Sequence, residues 1–195
     1  LTDADYNVAV GTDALAIDTL GSRSIAIGRR SLYTQNFTTA TDSYNIGVGF
    51  NAGYSVTTGL YNVLIGGLTG DALTDADENV AVGTSALGAD TMGSKSVAIG
   101  ASALNAQNFT TATDSYNTAV GYYAGVAVTT GQYNTLIGGL TGDSITTGDH
   151  NVALGVSCLQ ANTTANKNVA LGSNALSSFN VTTDTDTYNT AASVN

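Results

Sequence analysis

A short alternation of apolar and small positions returns along the whole chain, first as Asn7-Val8-Ala9-Val10-Gly11. Copies open at residues 7, 24, 45, 62, 79, 96, 117, 134, 151, 168 and 189, the last decayed to NTAAS. In the copies at 7, 24, 79 and 96 the second and fourth positions are Val or Ile, with Ala between them. Side chains of an extended strand point alternately to opposite faces. The pattern therefore predicts short β-strands with branched residues on one face and small residues on the other. No apolar stripe of helical period interrupts the series, so almost no helix is expected.

The fourth position is large and apolar in every copy but the last: Val10, Ile27, Val48, Ile65, Val82, Ile99, Val120, Ile137, Leu154 and Leu171. These residues are expected to form the core of each coil. The second position admits Thr118, Thr135 and Thr190 and is expected to be less strictly dry. The third is Ala or Gly except at Leu64 and Leu136. Small residues there imply the close approach of another backbone or a tight neighbouring chain, and so a second packing face.

Turn chemistry brackets each strand. Asn opens most copies, at Asn7, Asn45, Asn62, Asn79, Asn117, Asn134, Asn151 and Asn168, with Ser24 and Ser96 as substitutes. Glycine closes them, at Gly11, Gly28, Gly49, Gly66, Gly83, Gly100, Gly121, Gly138, Gly155 and Gly172. An Asn side chain at a turn can bond the local backbone, and stacked copies can bond one another. A small residue and then Leu or Gly follow each closing glycine, as in Ala14-Leu15 and Ala52-Gly53, and predict a short second strand. The remaining loops are polar, as in TTATDSYN at 110–117. The chain has no proline, so every strand keeps its N–H groups for neighbouring coils.

The copies are spaced 17, 21, 17 and 17 residues apart before the series repeats, which makes a 72-residue unit. Residues 3–74 return as 75–146, and a diverged third unit covers 147–195. Tyr44, Tyr116 and Tyr188 fall in register, as do Arg23, Lys95 and Lys167. Such a chain reads as one elongated repeat domain over 1–195, an all-β solenoid in which each coil touches only its neighbours. Strands of ~17 Å enclose one thin apolar layer, too little for comfortable stability alone. Association with copies of itself is therefore expected.

The pattern [N/S]-[V/T]-A-[V/I]-G-x-x-[A/S]-[L/G] resembles the head repeat of YadA-like trimeric autotransporter adhesins, and equally the repeat arrays of bacteriophage tail fibres. The resemblance covers essentially the whole chain. It implies a left-handed parallel β-roll, assembled as a homotrimer, that serves as an extracellular rod on a virion or bacterial surface. Coils of 17 and 21 residues exceed the usual adhesin repeat, and the extra residues are expected in loops outside the roll. Loop tyrosines (Tyr44, Tyr61, Tyr116 and Tyr133) and the lack of an anchor in this stretch favour a phage fibre. These tyrosines are the candidate contacts to a host receptor or glycan.

Composition narrows the partners. Fifteen acids against 5 bases leave a net charge of −10, which repels nucleic acid and anionic lipid. No apolar run reaches the ~20 residues needed to cross a bilayer, so no membrane insertion by this segment is expected. The first residues likewise lack the basic and apolar regions of an export leader.

Candidate chemistry is sparse. His150, the single histidine, occupies the variable position before an opening Asn. Cys158, the single cysteine, aligns with Ala14 and Ala86 at small core positions. No third group stands out to complete a nucleophilic triad, and no enzyme activity, cofactor or metal is expected. Asp3 and Asp5 recur as Asp75 and Asp77, Asp18 as Asp90, Asp42 as Asp114 and Asp186, and Asp71 as Asp143. Calcium needs six to eight oxygens, and turn formation is the simpler role for these carboxylates. Arg23, Lys95 and Lys167 are placed to pair with such acids. The run IGGLTGD has no lysine and no helix to hold phosphate. Sequons at Asn36, Asn108, Asn162 and Asn180 are no more than chance supplies in a chain so rich in Asn, Ser and Thr. A structural and adhesive fibre is the leading expectation. An ice-, mineral- or calcium-binding solenoid is the alternative, although Thr clusters recur only once per four coils. A polysaccharide-cleaving spike would need paired carboxylates in a groove, and no coil departs from the repeat enough to mark one.

Overall fold

A computed structural model describes residues 4–193, and over them the chain is a parallel β-solenoid of about eleven turns without helix. Its main rungs run from Val8–Val10 to Thr190–Ala192 and form one eleven-stranded sheet in chain order. Register keeps each repeat position in a column: Val63 pairs with Val80, Leu64 with Ala81 and Ile65 with Val82. The columns survive the 21-residue steps, where Val97 pairs with Thr118 and Ile99 with Val120. There the extra residues leave the stack, and 38–40 and 110–112 are exposed. Each long coil also adds a two-stranded parallel pair: Gly21–Ser22 with Thr41–Asp42, Gly93–Ser94 with Thr113–Asp114, and Ala165–Asn166 with Thr185–Asp186.

The two faces of the rungs are the reverse of the sequence expectation. The third position points inward: Ala26, Leu64, Ala81, Ala98, Ala119, Leu136, Ala153 and Ala170 are wholly buried. The fourth points outward. Val10, Ile27, Ile65, Ile99, Ile137, Leu154 and Leu171 are exposed, and Val48, Val82 and Val120 are half-buried. These ten residues do not form the core of their coils. The interior is already filled from the opposite wall by the Leu that stands four residues past the closing glycine. Leu32, Leu87, Leu104 and Leu159 are wholly buried there and leave room only for Ala across the gap.

Four coils carry glycine at that place instead: Gly53 and Gly125 face the leucines of adjoining coils, and the coils of Gly70 and Gly142 exchange the partners. Leu64 and Leu136 point inward where the opposite wall carries Gly70 and Gly142. A Cβ on Gly70 would lie 2.8 Å from Leu64 Cδ2, and one on Gly142 would lie 2.9 Å from Leu136 Cδ2. In those two coils the filling side chain comes from the sheet rather than from the opposite wall.

Corners are set by left-handed residues. Each coil places the residue before Asn, the second after Gly and the fourth after Gly at positive φ, as at Tyr61 (57°), Leu68 (57°) and Gly70 (54°). Two such residues close together prevent an extended run, so the predicted second strand directly after the glycine is a turn instead. That turn is still bonded from coil to coil, Leu87 N–H donating to the Ala103 carbonyl at 3.0 Å and Leu104 N–H to the Ala124 carbonyl at 3.1 Å. The closing glycines are needed for approach as well as angle: a Cβ on Gly121 would sit 2.4 Å from the Gly138 carbonyl oxygen.

The opening asparagines form a buried ladder. Asn134 Oδ1 accepts from the Asn151 N–H at 3.0 Å, and Asn134 Nδ2 donates to the Gly148 carbonyl at 2.8 Å. Asn62 does the same with the Asn79 N–H (3.1 Å) and the Ala76 carbonyl (2.7 Å). At the 21-residue coils Ser96 is too short to span, and Gln107 bridges instead. Its Nε2 donates to Ser96 Oγ at 2.9 Å and to Asp90 Oδ2 at 2.5 Å, and its Oε1 accepts from Asn117 Nδ2 at 2.9 Å. Gln35, Ser24 and Asp18 repeat this arrangement in the first unit. The third unit carries Phe179, Asn168 and Asn162 at these places, so all three partners change together.

Candidate functional site

The outward positions of the rungs make one continuous face. Eleven rungs at ~4.8 Å give it a length of about 50 Å. Its two columns are the second and fourth repeat positions, mostly Val, Ile and Leu. The second-position column includes half-buried Ile25, Ile46, Val63, Val80 and Val97, with exposed Val152. Together the columns bare on the order of 1,000 Å² of apolar surface, more than the few hundred Å² typical of a monomer's largest patch. A patch of that size is characteristic of an interface.

One edge of this face carries the left-handed residue before each Asn. Here the structure brings the four candidate tyrosines together in stacked pairs. Tyr44 and Tyr61 lie 5.6 Å apart between ring centroids, and Tyr116 and Tyr133 lie 5.4 Å apart. His150 continues the second stack at 4.7 Å from Tyr133. All four tyrosines are exposed. Arg23, Lys95 and Lys167 occupy the same column and find the acids expected for them. Arg23 Nε lies 2.9 Å from Asp42 Oδ2, Lys95 Nζ lies 2.5 Å from Asp114 Oδ2, and Lys167 Nζ pairs with Asp186 Oδ2. Tyr116 and Tyr188 hydroxyls donate to those same carboxylates at 3.3 and 3.1 Å. Hydrogen bonding to Lys95 holds the Asp114 carboxyl below its ordinary range, and Lys167 does the same for Asp186. The pairs are solvent-exposed and contribute little to stability.

The opposite edge carries the residue that follows each closing glycine. Phe50, Tyr122 and Val156 stand exposed there, with Tyr123 beside Tyr122 at 4.3 Å between centroids. This column is hard to see in the sequence because its residue types vary from copy to copy. Its only mark in the sequence is a bulky residue at 50 and 122, one 72-residue step apart.

The other singled-out residues are accounted for within the coil. Cys158 is buried, its Sγ donates to the Gly172 carbonyl at 2.6 Å, and burial raises its pKa. Asp18 and Asp90 are buried and accept from backbone N–H groups of Gly21 and Gly93 at 3.0 Å, which is turn formation as expected. Among the described residues no three His, Cys, Asp or Glu side chains gather, and no pocket opens. Asp3 lies outside the described residues. No family model, no curated protein and no solved structure matches this chain.

Proposed function

We propose that this chain is a structural and adhesive fibre segment, a shaft or head in which three copies run side by side. One observation carries the reading: the apolar face along the main sheet, of about the area that a stable interface takes from each partner. A copy of the same chain is the partner that matches it in length and rung spacing along all eleven coils. Threefold symmetry and left-handed coiling come from the resemblance to adhesin heads and phage tail fibres. In that setting the fibre projects outside a virion or bacterial cell, and its exposed loops meet a host receptor or glycan. Spread-out loop contacts, rather than one pocket, would supply the affinity. Size-exclusion chromatography with light scattering tests the assembly: three chains of 19.6 kDa each are expected, and a stable single chain overturns it. Retention of the labelled assembly on intact host cells, against bare beads, tests the adhesive part.

A further inference from the structure

Most glycines here answer to their own chain: the closing ones have positive φ and would strike the next coil. Gly67 and Gly139 do not. A Cβ on Gly67 meets nothing within 4 Å, and one on Gly139 meets only the Tyr122 carbonyl oxygen at 4.0 Å. Neither has a positive φ. They hold the same place in the first and second units, in the edge column that follows the closing glycine. Bulky exposed neighbours stand one coil before them, Phe50 and Tyr122, at 48% and 59% exposure. Each glycine is therefore a notch in an outward ridge, and nothing among the described residues calls for it.

Rotational symmetry says what faces the notch. When parallel copies are related by rotation about an axis along the stack, their apolar faces turn toward that axis. The tyrosine edge of one sheet then meets the glycine-side edge of the next at the same height. This holds for two copies or for three. In the coils of Gly67 and Gly139 the opposing residues are Tyr61 and Tyr133. One coil earlier Tyr44 meets Phe50, and Tyr116 meets Tyr122. The single like-charge approach, Arg23 toward Arg29, involves groups already occupied: Arg23 by Asp42 at 2.9 Å, and Arg29 by the Phe50 ring at 5.6 Å.

We propose that Gly67 and Gly139 are sockets that receive Tyr61 and Tyr133 of a neighbouring copy and so fix the register in which copies associate. The inference rests on the self-association proposed above. Gly67→Trp with Gly139→Trp tests it, because both side chains enter open space in the single chain. Far-ultraviolet circular dichroism of the variant is expected to keep the β signature of the unaltered chain. Self-association, read by light scattering across a dilution series, is expected to weaken by about tenfold or more. A second variant, Tyr61→Cys with Gly67→Cys, tests geometry. Within a chain the rung Val63–Ile65 runs between the two and holds them well apart, by up to roughly 20 Å. A disulfide needs Cα atoms within roughly 7 Å, so any bridge joins two copies. Oxidation is expected to give covalent multimers from this pair and not from Tyr61→Cys with Thr84→Cys, one coil out of register. If the unaltered chain assembles and the tryptophan variant assembles equally well, or both cysteine pairs cross-link alike, the sockets are refuted while self-association stands. If the unaltered chain is a lone subunit, both readings fall.

Discussion

Leu64 and Ile65 are neighbours of equal size in one rung, yet they live in different environments. Leu64 is fully enclosed by its own chain, and Ile65 is 38% exposed. Leu136 and Ile137 repeat the contrast one unit later, at 0% and 36%. Along the rest of the stack the inner side of the sheet carries small residues and the outer side carries large ones. The coil is so thin that one wall's leucine fills it. Large aliphatic residues on the sheet are therefore surplus to the single chain, and their stabilising contribution depends on what covers them. In this chain the apolar surface is divided between an inside that the coil encloses and an outside that it leaves bare.

The most severe way to break that division is to charge the outside alone. Ile65→Asp with Ile137→Asp places two carboxylates per copy in the proposed interface, where an unpaired buried charge costs several kcal/mol. Light scattering is expected to show the mass of a single chain, with the β signature in circular dichroism kept. An unchanged oligomer would mean that the outer face is not the interface. Trimming the inside should act in the opposite manner. Leu136→Ala leaves a cavity between Gly125 and Gly142, which carry no side chain of their own to fill it. A loss of about 2–5 kcal/mol is expected in denaturant unfolding, with the oligomer mass unchanged below the transition.

How much of this was legible in the sequence divides along the same line. Period-two alternation located the rungs, fixed register gave a parallel stack, and the recurring Asn gave the ladder. That Arg23, Lys95 and Lys167 pair with recurring acids was legible, whereas which series they meet, Asp42, Asp114 and Asp186, came only from the structure. Which face lay inside was not legible, because alternation defines two faces without naming them. The rule that large apolar residues go inside then pointed the wrong way. Two signals could have corrected it. Thr118 and Thr135 in a column of Val and Ile mark a surface, and Leu64 with Gly70, like Leu136 with Gly142, exchange volume as only facing residues do. The buried network of Asp90, Gln107 and Ser96 was hidden for another reason. Its members lie 6 to 17 residues apart, and only the joint change to Asn162, Phe179 and Asn168 ties them together.

The polar lining of the inside gives a smaller effect. Asn134→Ala removes the acceptor for the buried Asn151 N–H and the donor to the Gly148 carbonyl, and it strands both. A buried group left without its partner costs about 1–3 kcal/mol. Amide hydrogen exchange should quicken first at the rungs Thr135–Ile137 and Val152–Leu154 that the ladder joins. Uniform exchange along the stack would show instead that the ladder is redundant with the backbone bonds.

The smallest effect belongs to the exposed edge and appears only in acid. The Thr58 and Thr57 hydroxyls donate to Asp75 Oδ1 at 2.6 and 2.7 Å and hold its carboxyl below the ordinary range. A carboxylate whose pKa falls on folding stabilises the native state above its unfolded pKa of roughly 4, and that contribution is lost as pH drops through the lower folded value. Asp77, two residues on, titrates in the other direction: burial raises its pKa, so its protonation in acid favours the folded state. Asp75→Asn removes only the first contribution. The variant should therefore unfold at a lower temperature than the unaltered chain near neutrality, and the gap should close below about pH 4. The third unit opens on Thr147 where the second opens on Asp75, so Thr147→Asp should open a gap of the same sign, with Thr129 and Thr130 as the donors. A gap that widened in acid would mean that the threonines do not favour the charged form, and that the carboxylate stands at this edge for solvation alone.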